Sequence, residues 1–182
     1  MKRIILIILL AFAFLNTSTF SNEFDWMIQV EETPYDQHIE IVRNTLENLN
    51  GDNAKFSDVE KYMKEIFAFK YVFDAPYIPQ PPNITLSKRA GDCKAKSVLL
   101  AYLMNDKNVI IVIGKARRNS IISHMWLMWK YKDTWWILDP TNVSEPIPMN
   151  CINPNDYVPS YLYSKTGSYV NKKAFEKKIK QP

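Results

Sequence analysis

Glycine is scarce in this chain of 182 residues, four against 11 prolines, which argues against a flexible low-complexity polymer and for one compact domain. Beyond the N-terminus no stretch approaches the ~20 apolar residues that a membrane-spanning helix needs. No internal repeat is visible, and no basic run carries the interleaved aromatics of a nucleic-acid surface, so no nucleic-acid partner is expected. Without an acidic cluster resembling a calcium loop, no metal or cofactor is expected either. Cysteine and histidine are rarest of all, with Cys93, Cys151, His38 and His124 the full complement.

What the chain does have begins with Lys2 and Arg3, then the apolar run Ile4 to Leu15, then small and polar residues to Ser21. That order predicts a signal peptide over residues 1–21, an uncleaved anchor being the alternative. The product would be secreted or lodged in the periplasm or cell envelope. About 161 residues remain, enough for a sizeable core. We divide them into a domain over 22–159 and a basic tail over 160–182. Six lysines against one glutamate from Ser160 onward leave a body of about −3 once Lys2 and Arg3 are removed from the formal +4. The tail could favour an anionic envelope surface. In an exported protein an even cysteine count also suggests a Cys93–Cys151 disulfide.

Residues 22–32 lack clean periodicity and read as an arm laid on the body. Thr33-Pro34 followed by Tyr35, Ile39, Val42, Leu46 and Leu49 predicts a helix over 34–49. His38 on that helix has no neighbour fit to share a metal and receives no role. Ser57 and Glu60 form a capping-box pattern ahead of a second helix ending near Phe69. The proline-rich stretch from Ala75 to Pro82 forbids helix and reads as a stiff surface connection. Asp92 is placed to cap a mostly buried helix from Cys93, with Ala95, Val98, Leu99, Tyr102 and Leu103 on its apolar stripe. Val109 to Ile113 is β-branched throughout, as a central strand buried on both faces would be. Ser123–Tyr131 and Thr134–Leu138 predict an antiparallel hairpin turning at Lys132-Asp133. Beyond Asp139 five prolines predict an irregular segment wrapping the body, and residues 171–180 a last short helix.

A thiolate at a helix N-terminus gains from the partial positive charge of unpaired N–H groups. Lys88, Arg89, Lys94 and Lys96 add to that field or simply reach into solvent. If Lys132-Asp133 is a two-residue loop, Tyr131 pairs with Thr134, and Asp139 falls opposite Trp126, diagonal to His124 on the same sheet face. Asp139 would then accept the proton-bearing nitrogen of His124 while the other nitrogen faces Cys93. Asn142 is a weaker candidate for the orienting role. Taken singly, His124 reads as a core histidine and Asp139 as a turn former. Their order and strand-edge placement are what suggest a Cys-His-Asp constellation.

Gly91-Asp92-Cys93 opening a helix, Ser123-His124-Met125-Trp126-Leu127-Met128-Trp129 on a strand and Trp135-Trp136-Ile137-Leu138-Asp139-Pro140-Thr141 on the next together resemble the core of the transglutaminase-like superfamily. The resemblance covers about Tyr71 to Asn142. It implies a papain-like α+β fold in which N-terminal helices and the Cys93 helix pack on an antiparallel sheet. It also implies Cys93 as nucleophile, His124 as general base and acid, and Asp139 as the group that orients the histidine. Lys94 and Lys96 depart from the family pattern, as does the absence of glycine between Asn105 and Asn108.

The implied chemistry is acyl transfer from a carboxamide or peptide bond in a protein or peptide substrate, to water or to an amine. One oxyanion donor would be the N–H of Cys93, and Gln80 is a guess for the second. The alternative is an inactive binding domain of the same fold in the cell envelope, with Cys93 inert or tied to Cys151.

Overall fold

The β-branched run at Val109 builds the strand that the other elements surround. The computed structural model describes residues 24–52, 54–74 and 77–173. Its strands are β1 (Met27–Val30), β2 (Lys70–Tyr71), β3 (Ala90–Gly91), β4 (Val109–Arg117), β5 (His124–Tyr131), β6 (Thr134–Leu138), β7 (Ile147–Pro148), β8 (Asp156–Ser164) and β9 (Gly167–Asn171). Seven of them form one sheet in the order β1-β9-β8-β4-β5-β6-β7, paired antiparallel throughout. Its central strand, β4, is buried on both faces from Val109 to Gly114.

The helices are α1 (Glu40–Glu47), α2 (Phe56–Phe67), α3 (Pro82–Lys88) and α4 (Cys93–Met104). One face of the sheet, through Ile111, Ile113, Leu127 and Trp129, shares a core with Val42 and Leu46 of α1, Met63 and Ile66 of α2, and Val98 and Leu99 of α4. The other face, through Ile110, Val112, Trp126 and Met128, is covered by Phe24, Trp26, Ile147, Met149 and Ile152. The α+β architecture with its antiparallel sheet is therefore the one expected. The helix carrying Cys93 lies between the sheet and the remaining helices, and Val98, Leu99, Leu100 and Ala101 are fully buried. Burying each larger one of these side chains stabilises by about 1.5–3 kcal/mol.

Several expectations are corrected. The N-terminal arm packs on the sheet as predicted at Phe24 and Trp26, but Met27–Val30 then joins the sheet edge by pairing with β9. The first helix is interrupted: Thr33 hydrogen-bonds Asp36 through both backbone and side chain, a short 3-10 turn occupies Asp36–His38, and α-helix starts at Glu40. The second begins at Phe56 without a side-chain cap, ahead of the Ser57–Glu60 pattern, and the Phe56 ring packs against Trp129 and Trp136. After the proline-rich stretch comes an unexpected helix, α3, with Pro82 at its first turn, where the missing N–H costs nothing.

The division at residue 159 also fails. That boundary falls inside β8, and β8 with β9 completes the sheet, so the stretch from Ser160 to Asn171 belongs to the domain. Lys165 sits in the β8–β9 turn and Lys172 follows β9. Between them the strands carry buried apolar side chains, Tyr169 and Val170 among them. The predicted signal peptide and the bulk of the proposed last helix lie outside the described residues.

Two turns show how this chain manages with few glycines. Asn105 ends α4 in the left-handed region at φ 44°, a conformation asparagine tolerates, which accounts for the missing glycine before β4. Lys132 takes φ 54° in the hairpin turn, and the register is the predicted one, Tyr131 opposite Thr134 through to Leu127 opposite Leu138.

Candidate active site

The cap of α4 leaves the backbone N–H of Cys93 unused. Asp92 caps the helix, its Oδ1 accepting from the N–H groups of Lys94 at 3.0 Å and Ala95 at 3.1 Å, while its carbonyl accepts from Lys96 at 3.0 Å. The Asp92 side chain thus satisfies two of the orphan donors of the first turn, the Lys96 bond being the first of the helix itself, and none of these bonds takes the N–H of Cys93. The Cys93 side chain is half-buried at this end. Ser97, one turn on, donates its hydroxyl to the carbonyl of Met125 at 3.0 Å and so pins the helix to β5 beside His124.

His124 is the first residue of β5 and Asp139 the first beyond β6. The observed register, continued by one pair, brings them into diagonal contact, and His124 Nε2 meets Asp139 Oδ2 at 2.8 Å. Asp139 is fully buried. Its Oδ2 also accepts from Asn142 Nδ2 at 2.7 Å and Tyr157 Oη at 3.0 Å. Oδ1 accepts from the N–H groups of Thr141 at 3.1 Å and Asn142 at 3.3 Å. The turn formed by Asp139, as read for that residue alone, thus also fixes its carboxylate.

Burial alone would raise the Asp139 pKa, but the hydrogen bond and charge of His124, with the bonds from Asn142 and Thr141, outweigh it and hold the carboxyl below its ordinary range. For His124, burial pushes the imidazole down. The hydrogen bond to Asp139 and the nearness of Cys93, with the charges of both, reverse this and raise it to about 9. With Nε2 committed to Asp139, Nδ1 is the nitrogen left for the sulfur. The structure thus brings His124 and Asp139 into contact, with Cys93 near enough to bear on the imidazole, and places Asn142 at Asp139 as a supporting donor.

Three further expectations change. Lys94 and Lys96 neither reach into solvent nor line an open face. Lys94 is buried against Asp92, with its Nζ also donating to the carbonyl of Asp74 at 3.2 Å. Lys96 is 2% exposed and donates to the carbonyls of Phe69 at 2.8 Å and Phe67 at 3.3 Å, at and just past the end of α2. Lys96→Met keeps most of the volume but strips these carbonyls of their donor. It is expected to cost about 1–3 kcal/mol of stability, read as a lower urea midpoint at unchanged slope. Gln80 donates its amide nitrogen to Asp74 Oδ2 at 3.1 Å, and the atom it leaves unpaired is the acceptor Oε1, so it gains no support as an oxyanion donor. Tyr102, placed on the buried stripe, is 57% exposed.

Both cysteines are free, Cys151 exposed and Cys93 half-buried, so the Cys93–Cys151 disulfide is not formed. Sequence reasoning missed Tyr157, which reaches Asp139 from β8. The only signal was an aromatic in a segment taken as irregular.

A thiol at a helix start, facing a carboxylate-bound imidazole on an antiparallel sheet, defines a papain-like α+β protein. The chain belongs to the transglutaminase-like domain family, whose pattern matches residues 22–174. Among solved structures it is similar to calcium-bound LapG of Legionella pneumophila, at 18% identity and TM-score 0.54, covering 71% of this chain and 75% of that one. EGTA-treated LapG of the same organism gives 18% identity and TM-score 0.55, over 72% of this chain and 74% of that one. At this identity the likeness is one of fold. No curated protein sequence matches. Among the described residues no three His, Cys, Asp or Glu side chains converge as metal ligands would. No helix among them is long and apolar enough to cross a membrane.

Proposed function

We propose that the protein is an exported cysteine enzyme that transfers an acyl group from a carboxamide or peptide bond of a protein or peptide substrate to water or an amine. The observation that carries this reading is the His124 imidazole, hydrogen-bonded to Asp139 at 2.8 Å and raised to about 9 by Asp139 and the nearby Cys93. Near neutral pH such an imidazole holds a proton, which it can deliver to a leaving group.

The Cys93 thiolate attacks the substrate carbonyl carbon, forming a C–S bond and an oxyanion that the free N–H of Cys93 is placed to receive. Imidazolium His124 then gives its Nδ1 proton to the leaving amine as the C–N bond breaks, leaving a thioester. Water or a second amine, deprotonated by His124, attacks the thioester. The C–S bond breaks and the Cys93–His124 pair is restored. Export rests on the charged and apolar segment before Ser21. The reading as an inactive domain with a tied Cys93 loses its support, since that thiol is free.

The test incubates the protein with a thiol-directed acylating probe and with glutaminyl peptides, with and without a primary amine. Stoichiometric capture at Cys93, lost in Cys93→Ala, is expected, and the product with amine present separates transamidation from hydrolysis. Capture at Cys151 alone would refute the proposal.

A further inference from the structure

We infer that Tyr157 is a positioning residue for the His124–Asp139 pair: its hydroxyl holds the Asp139 carboxylate and draws off part of its negative charge. The inference rests on the acyl-transfer reading above and deepens it.

Tyr157 is a bulky residue inside a strand at φ 50°, a left-handed conformation that few such side chains adopt. Strain of this kind persists only where the surroundings over-determine it, and it gathers at functional sites. Here the surroundings are visible. The β4–β8 register shifts between Ile113, opposite Tyr161, and Gly114, opposite Pro159. At Gly114 a Cβ would fall 2.3 Å from the carbonyl oxygen of Val158 and 2.8 Å from Trp126 Cη2, so glycine is needed for β8 to approach this closely. Gly114 is also the cross-strand partner of His124. The irregular crossing therefore lies directly beside the histidine.

The Tyr157 side chain is fixed on two sides. Its ring meets Trp126 edge to face, centroids 5.4 Å apart, and Trp126 in turn stacks beneath His124 at 6.1 Å. Its hydroxyl donates at 3.0 Å to Asp139 Oδ2, the same oxygen that holds His124 Nε2. A carboxylate oxygen shared in this way has less charge to spend on the imidazole. His124 must both take a proton from Cys93 and give it to the leaving amine, and too strong a hold on the imidazolium slows the second step. Burial first, then the Asp139 charge and hydrogen bond, raises the Tyr157 pKa, so the hydroxyl keeps its proton and remains a donor. The titratable groups facing this set are Cys93 and Lys96 from α4, Asp139 from the turn after β6, and Asp156 from β8.

The test compares Tyr157→Phe with a variant carrying 3,5-difluorotyrosine at position 157, a stronger donor. Removing the hydroxyl is expected to lower kcat about 3- to 10-fold with KM unchanged, and to move the alkaline limb of the rate, and the His124 pKa by NMR, upward from about 9. The fluorinated side chain is expected to move both downward. A merely structural role would lower the melting temperature and leave the limb in place. An unmoved limb in both variants, or a downward move with phenylalanine, overturns the inference. Should Cys93→Ala turn over substrate like the wild type, the acyl-transfer reading fails instead. The NMR titration, which needs no activity, still reads Tyr157 in that event.

Discussion

His124→Ala is expected to slow acylation of Cys93 about 10²- to 10⁴-fold near neutral pH, the usual contribution of a positioned proton acceptor. The fold should survive the change. His124 sits at the first residue of β5, and Asp139 keeps its bonds from Asn142, Thr141 and Tyr157 when the imidazole is gone. Probe labelling followed by mass spectrometry measures the rate, with circular dichroism as the control for folding. The loss should shrink as pH rises, because hydroxide then ionises the thiol without help from the histidine. Labelling as fast as the wild type at neutral pH would remove His124 from the mechanism.

Asp139→Asn is expected to cost about 10²- to 10⁴-fold in kcat, because the change disturbs geometry and charge together. The carboxylate accepts three side-chain donors on Oδ2 and two backbone donors on Oδ1. An asparagine has one acceptor oxygen, so its NH₂ group must face one of these donor sets. If it faces His124, the imidazole turns or exchanges its tautomer, and the nitrogen offered to Cys93 is no longer the basic one. The same substitution removes the hydrogen bond and charge that raise His124 above 6.5. In the wild type a folded-state pKa near 9 means that imidazolium stabilises the fold fully below about pH 6.5, and this contribution is lost as pH rises through 9. In Asp139→Asn that alkaline loss should move toward neutral pH, which thermal melts across pH 6–10 would record.

How much of this was legible in the sequence depended on the range of the interactions. The α4 cap at Asp92, the central strand at Val109 and the hairpin register are local matters of spacing, and each was found where residue order placed it. From the register alone followed the meeting of His124 with Asp139. What escaped was decided by contacts across the sheet and between layers. Lys94 and Lys96 look solvated in any local reading, yet one is buried against Asp92 and the other meets carbonyls 27 and 29 residues away in sequence. Tyr157 is aimed at Asp139 by a bulge between β4 and β8, and nothing local to residues 156–158 announces that pairing. The lysines near the C-terminus mask the apolar alternation of β8 and β9, whose buried residues Leu162, Tyr163, Tyr169 and Val170 lie beside or between them in sequence.

The central claim is that Cys93 and His124 act as one proton-sharing pair held by Asp139. NMR titration of the His124 imidazole in the wild type and in Cys93→Ala tests it most directly. The account predicts a pKa of about 9 in the wild type and a lower value once the sulfur and its charge are removed. A wild-type value near the ordinary 6.5, unchanged by Cys93→Ala, would contradict it.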